Sequence, residues 1–267
     1  MVSPSAPIGV FDSGIGGLTV ARELMRQLPD ESIIYFGDTA RVPYGPKSPD
    51  TVRRYSREIT SYLRDRGVKA VVVACNTATA HALSALREEQ PIPVIGVVEP
   101  GARAAVAASR GKIGVIGTLG TIQSGAYERA IRALAPETRI VARACPLFVP
   151  LVEEGWLDHR ATRLVADEYL APFAAEHVEA LVLGCTHYPL LKPLIAEVLG
   201  SGVALIDSAE QTAAETRRVL EERGLLAPRN GRPTRDWVAS DAPQQFLRMA
   251  ERFLGAPIHG VETHTLG

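Results

Sequence analysis

The feature that most constrains the fold is a regular alternation of short apolar runs with longer amphipathic stretches. Ile8 to Phe11 reads as a strand, Gly14 to Gln27 as a helix and Ile33 to Phe36 as a second strand. A Pro/Gly-rich loop precedes a helix around Thr51 to Arg64, a strand Ala70 to Val73 and a helix Asn76 to Glu88. The rhythm restarts at Ile113 to Ile116, passes Arg139 to Val141, and reaches a strand Ala180 to Leu183 and a helix Ser208 to Glu222. Runs of both periods in strict alternation predict βαβ units. The expected class is therefore α/β, with mainly parallel sheets flanked by helices.

The alternation also repeats on a larger scale. Ile8-Gly9-Val10 is echoed by Ile113-Gly114-Val115, 105 residues later, and Ala74-Cys75-Asn76 by Gly184-Cys185-Thr186, 110 residues later. Two matches at nearly one offset, the second carrying the same reactive residue type, predict a duplicated unit of ~100 residues, too long a period for a solenoid. Two pseudo-symmetric lobes follow, with an active site in the crevice between them. The first is expected to combine residues 1–99 with 207–267, and the second to span 100–206.

Composition narrows the function classes. Apolar residues make up 46 % of the 267 and charged ones 22 %, as in a soluble globular protein. The formal net charge of −1 argues against nucleic acid as a partner. Arg229, Arg232 and Arg235 sit among Asn, Gly and Pro and read as a solvated loop. Without a signal-peptide pattern or an apolar run of ~20 residues, the expected location is the cytoplasm, with no membrane contact. Three widely spaced cysteines are then reduced thiols rather than a disulfide framework.

In open α/β sheets ligands bind beyond the carboxyl ends of the strands. Asp12-Ser13, Gly37-Asp38, Cys75-Asn76, Gly117-Thr118 and Cys185-Thr186 all fall there. Cys145 reads as an inert buried thiol. Cys75 and Cys185 are each expected to open a helix, where free N–H groups favour a thiolate. At an ordinary pKa of ~8.5 only about 3 % of a thiol is ionised at pH 7, and lowering it to ~7 ionises about half. Two thiolates side by side repel, so a working pair holds one thiolate and one thiol. Such a pair can remove a proton and supply another.

Asp12 is placed to exchange a proton with Cys75 or to cap the helix expected near Ser13. His187, two residues beyond Cys185, is placed to cycle protons with it. The loop Asp12-Ser13-Gly14-Ile15-Gly16-Gly17 approaches the dinucleotide fingerprint, but Thr19 stands at its last glycine position and no ribose-binding acid follows. Ser13, Asn76, Thr77, Thr118, Thr121 and Thr186 offer neutral donors and acceptors suited to a zwitterion. Zinc on Cys75, Cys145, Cys185 and His187 matches no finger or ribbon spacing, and a closed four-ligand site would leave no open position for chemistry. Pyridoxal phosphate requires a lysine, for which only Lys47 is free of a structural reading. Catalysis without metal or cofactor is expected.

The segments Phe11 to Val20, Gly37 to Gly45, Ala74 to Ala80 and Gly184 to Leu191 closely resemble those of the glutamate racemases, in the aspartate/glutamate racemase family. Asp207-Ser208-Ala209 followed by Thr212 fits as well. The resemblance runs nearly the whole chain, in order. It implies that Cys75, assisted by Asp12, deprotonates D-glutamate, and that Cys185, assisted by His187, deprotonates L-glutamate. It further implies that Ser13, Pro43, Tyr44, Gly45, Asn76, Thr77, Thr118 and Thr186 position the substrate and that Glu153 supports the Cys185 side. A homodimer supplying D-glutamate for peptidoglycan, and so for cell-wall biogenesis and cell shape, is the implied setting. Three other readings remain open from the residues: a racemase of aspartate or another acid, a Cys–His hydrolase using Cys185, and an amino-acid-binding regulator.

Overall fold

A computed structural model describes residues 2–229 and 232–266. The chain runs β1 (Ile8–Asp12), α1 (Leu18–Gln27), β2 (Ile33–Gly37), α2 (Pro49–Asp65), β3 (Ala70–Val73), α3 (Asn76–Glu89), β4 (Val94–Gly96) and α4 (Val98–Ala108). It continues through β5 (Lys112–Gly117), α5 (Leu119–Gln123), α6 (Ala126–Leu134), β6 (Arg139–Ala144), α7 (Phe148–Glu153), α8 (Arg160–Ala175) and β7 (Ala180–Gly184). A 3₁₀ turn over Tyr188–Leu191 leads to α9 (Lys192–Leu199), β8 (Ala204–Asp207), α10 (Ser208–Glu222), β9 (Arg235–Ala239), α11 (Pro243–Leu254) and β10 (Glu262–Thr263).

The strands form two parallel sheets, ordered β10-β9-β2-β1-β3-β4 and β6-β5-β7-β8. Helices cover both, which is why central strands such as β1 (IGVFD) and β7 (ALVLG) are buried along their whole length. The edge strand β6 instead keeps Arg139 exposed and Arg143 half-buried. Without β9 and β10, each sheet has the order second-first-third-fourth. The register agrees too: Ile8 pairs with Ala70 in one sheet and Ile113 with Ala180 in the other. The α/β class and its two sheet lobes are thus as the sequence predicts.

Three local expectations are corrected. Helix α1 begins at Leu18 rather than Gly14, because residues 13–17 wrap around the buried Asp12, whose Oδ2 accepts the Gly14 N–H at 3.0 Å. Cys185 does not open an α-helix; a turn and then the 3₁₀ segment follow it. Arg235 is not in a solvated loop but starts β9, where its guanidinium donates to the carbonyls of Glu31 and Pro29. Arg229 and Arg232 are exposed.

Strand β9 had no forerunner in the sequence reading. It pairs with β2, so the chain's last segment extends the first sheet and brings α11 against α1. Helix α10 packs on α1 and on α4, bridging the two sheet layers. Among the described residues no helix is long and apolar enough to cross a membrane.

Candidate active site

The carboxyl ends of β1, β3, β5 and β7 face a small cavity of about 30 Å³. Ser13, Cys75, Asn76 and Thr77 line one side; Thr118, Cys185, Thr186 and His187 line the other. The loop Val42-Pro43-Tyr44-Gly45 and Val149 complete the wall. That volume holds a water or two. Eleven of the predicted site residues therefore meet in one place: Ser13, Pro43, Tyr44, Gly45, Cys75, Asn76, Thr77, Thr118, Cys185, Thr186 and His187. Asp12, Thr121 and Glu153 stand one layer behind it.

The Cys75 side holds a buried thiol and a buried carboxyl. Cys75 caps α3, its Sγ accepting the Ala78 N–H at 3.4 Å, and it is buried. Burial and the negative charge of Asp12 push the Cys75 thiol up to about 12. The donors at the helix start and Ser13 pull the other way and lose. This overturns the expectation of a thiol made acidic by its helix, since removing the sulfur from water costs more than one or two N–H groups return. Burial also raises the Asp12 carboxyl, against the pull of His187 and of the backbone N–H groups of Gly14 and Gly17. Its Oδ1 is buried without a partner.

The Cys185 side holds an imidazole paired with a carboxylate. His187 Nδ1 lies 3.8 Å from Cys185 Sγ, and its Nε2 lies 2.9 Å from Glu153 Oε1. Burial alone would hold this imidazole neutral, but its bonds to Cys185 and Glu153 push it up to about 10. His187 is therefore an imidazolium at neutral pH, packed edge-on against Phe253 of α11 at 5.2 Å between ring centres. Arg252 of the same helix donates to the carbonyls of Val152 and Glu153, fixing the end of α7 that carries the carboxylate.

Glycines 16 and 17 serve close approach. A Cβ on Gly16 would fall 2.3 Å from Thr186 Oγ1 and 2.5 Å from His187 Nδ1. One on Gly17 would fall 2.5 Å from the Asp12 Cβ. Thr19, the residue that spoils the dinucleotide pattern, donates from Oγ1 to the Thr186 carbonyl at 3.4 Å. The glycine-rich turn is thus shaped to receive the other lobe. Across the cavity, Thr77, Thr118 and Thr121 form a triangle of hydroxyls with edges of 2.8, 3.2 and 3.0 Å. Gly120 N–H donates to Gly45 O at 2.8 Å, tying the Pro43–Gly45 loop to α5.

Several residues that shape the site escaped the sequence reading. Tyr44 is buried, with its hydroxyl donating to Asp38, which also takes bonds from Ser240 Oγ at 2.9 Å and Arg41 Nε at 2.7 Å. Asp38 was placed at a strand end, but nothing near Ser240, Arg252 or Phe253 forms a motif. Tyr127 of α6 donates to Asn76 Oδ1 at 2.7 Å. Lys47 lies outside the cavity, on an adjoining one of about 410 Å³. Cys145 is buried, its carbonyl accepting from the Tyr188 hydroxyl at 2.9 Å. Among the described residues no group of three or more His, Cys, Asp or Glu side chains is placed to hold a metal ion.

Two parallel-sheet lobes, with a cysteine from each on one shared cavity, make a two-lobed α/β protein. The sequence model of the Asp/Glu/hydantoin racemase family matches residues 8–216. Glutamate racemase of Geobacter metallireducens is 54 % identical over 259 residues, 97 % of this chain and 96 % of that protein. Among solved structures, a glutamate racemase isoform of Bacillus anthracis superposes with a TM-score of 0.94 at 46 % identity, covering 98 % of both chains. The Francisella tularensis glutamate racemase, solved in complex with D-glutamate, gives 0.93 at 40 % identity, again over 98 % of both. The chain belongs to the Asp/Glu/hydantoin racemase family and is an amino-acid racemase, an isomerase.

Proposed function

We propose that the chain interconverts L- and D-glutamate by proton transfer between Cα and two cysteines, without metal or pyridoxal. The observation that carries this reading is that Cys75 and Cys185, from opposite lobes, line a single cavity. The names of its relatives favour glutamate as the substrate.

In the D-to-L direction Cys75 thiolate takes the Cα proton, leaving an electron pair shared between Cα and the adjacent carboxylate. The Cys185 S–H then delivers its proton to the opposite face. The L-to-D direction runs the same steps in reverse. The resting charges favour the latter start: a thiol at Cys75 beside the Asp12 carboxylate, and an imidazolium beside Cys185, the counter-ion a thiolate there needs. To reset for D-glutamate, the Cys75 proton passes to Asp12, whose unpartnered Oδ1 can accept it, while His187 returns one to Cys185. An α-proton next to a carboxylate is weakly acidic, so a closed, dry cavity with fixed donors must carry much of the stabilisation. Ser13, the Pro43–Gly45 loop, Asn76, Thr77, Thr118, Thr121 and Thr186 are its positioning groups, and Glu153 holds His187 charged.

This reading places the lobe boundaries at 1–99 with 207–267 and at 100–206. It also places a homodimer in the cytoplasm, supplying D-glutamate to peptidoglycan synthesis. The test is purified protein without added cofactor, incubated with L-glutamate in D₂O, following optical rotation and the Cα–H signal together. Loss of rotation with deuterium entering the product is expected. Faster turnover of aspartate in the same assay would overturn the substrate, and binding without exchange would overturn catalysis.

A further inference from the structure

Asn76 is 2 % exposed and lines the cavity, yet only half of its amide is bonded. Its Oδ1 accepts from the Tyr127 hydroxyl at 2.7 Å, whereas its Nδ2 is buried with no partner. A buried, unpaired N–H donor is costly, and a protein keeps one where a ligand will satisfy it. Tyr127 is equally buried and comes from α6 in the second lobe, so the bond crosses the crevice to α3 in the first. Its ring leaves no slack. A Cβ on Gly184, the residue before Cys185, would stand 3.1 Å from Tyr127 Cε2, and one on Gly101 would stand 3.3 Å from Cε1.

The two ends of an Asn amide are nearly the same size, so shape alone does not choose its orientation. Chemistry does. The Tyr127 hydroxyl has one proton, and it donates that proton to the Asn76 side-chain oxygen. In this arrangement the group the hydroxyl faces is the carbonyl end of Asn76. The amino end is then left for the cavity.

We infer that Tyr127 is a positioning residue that locks the Asn76 amide with Nδ2 toward the substrate carboxylate adjoining the reacting carbon. The inference rests on the amino-acid racemase reading and deepens it. Because Asn76 follows Cys75 directly, its amide serves the carboxyl group next to Cα, where negative charge grows as the proton leaves. A donor held there in advance strengthens at the moment of reaction without having to reorient. Tyr127 reaches across from the other lobe, so the donor is set only when the lobes are together.

The experiment is a double-mutant cycle in the full-length protein. Asn76→Ala should lower kcat/KM about 100-fold, the typical loss for one such donor. Tyr127→Phe keeps the ring and should lower it about tenfold, since the amide can then turn either end to the cavity. In the Asn76→Ala background, Tyr127→Phe should have no further effect; a second tenfold loss there would overturn the proposal, as would full activity in Tyr127→Phe alone. The amide is also read directly. In the ligand-free protein, the side-chain NH₂ resonances of Asn76, assigned by their loss in Asn76→Ala, should move in Tyr127→Phe, and unmoved resonances would overturn the contact. Failure of the unsubstituted chain to racemise glutamate would sink the glutamate reading instead, while the resonances still test the clamp.

Discussion

The two cysteines occupy equivalent positions, but the groups that serve them do not. Each follows the strand beside the first strand of its sheet, and the registers Ile8 with Ala70 and Ile113 with Ala180 superpose. Carrying the 105-residue step forward, Asp12 corresponds to Gly117, which has no side chain to act. Carrying the 110-residue step back, His187 corresponds to Thr77. A carboxylate from the end of β1 thus serves one thiol, and an imidazolium backed by Glu153 serves the other. In the proposed reaction, duplication supplies two sulfurs that face one carbon. Non-equivalent neighbours then give the two thiols different environments, which biases where the single proton of a thiol–thiolate pair rests.

The comparison breaks first at the sulfurs. Cys75→Ala and Cys185→Ala should each lower racemisation by at least about 10³-fold, in the upper range for loss of an acid–base group. Their residual chemistry should differ. With only Cys185 left, L-glutamate should exchange its Cα proton for deuterium while D-glutamate does not; with only Cys75 left, the preference should reverse. NMR of each enantiomer in D₂O measures this, and exchange of both enantiomers by either variant would dissolve the face assignment.

Next come the partners. Asp12→Asn and His187→Asn should each cost about 10²-fold in kcat, but their effects on stability should have opposite signs. The Asp12 carboxyl is raised in the folded state, so its ionisation opposes folding at neutral pH, and that cost disappears as pH falls through its folded pKa. Asp12→Asn should therefore raise the melting temperature at neutral pH. The His187 imidazole is raised to about 10, so it contributes stability in full below the unfolded value of 6.5 and loses it as pH climbs toward about 10. His187→Asn should lower the melting temperature at pH 6 and matter less at pH 10. Calorimetry across that range decides, and equal shifts for the two variants would contradict the charge asymmetry.

Much of this arrangement was legible in the sequence because strands and their ends leave local marks. The apolar runs at 8–11, 70–73, 113–116 and 180–183 located the central strands to within two residues. Their termini then named Asp12, Cys75, Thr118 and Cys185. Charge state was not legible, because it depends on burial and on residues distant in the chain. Cys75 at a helix start looked activated, yet burial beside Asp12 reverses that. Likewise β9 was hidden: Arg235 to Ala239 is short and charged at its start, and only the free edge of β2 makes it a strand. Ser240, Arg252 and Phe253 come with it, and each touches the site through one other residue rather than through any motif.

A smaller effect should follow from filling the space between the lobes. In Gly16→Ala the new methyl meets Thr186 and His187 rather than solvent, and both are held by other bonds. Overpacking of this kind costs about 1–3 kcal/mol. If the cost falls on the lobe contact, activity should drop about tenfold with little change in the melting temperature. If it falls on the whole fold, the melting temperature drops and activity at low temperature persists, and the glycine turn then has no special part in joining the two sides.

The smallest change tests the least symmetric part. Glu153 is the third member of a chain that has no counterpart beside Cys75, and its side chain is about a third exposed. Glu153→Gln keeps a hydrogen-bond acceptor for His187 Nε2 but removes a charge, so the imidazole should lose its proton at lower pH than in the unsubstituted protein. Solvent weakens an ion pair that water can reach, so activity at pH 7 should fall only about threefold. As pH rises, however, the variant should lose activity earlier, because neutral His187 no longer balances a Cys185 thiolate. The high-pH limb of kcat against pH, read beside the His187 ring signals by NMR, measures both at once. A limb that stays in place while the ring titration moves would detach the imidazolium from the turnover step and leave His187 with an orienting role alone.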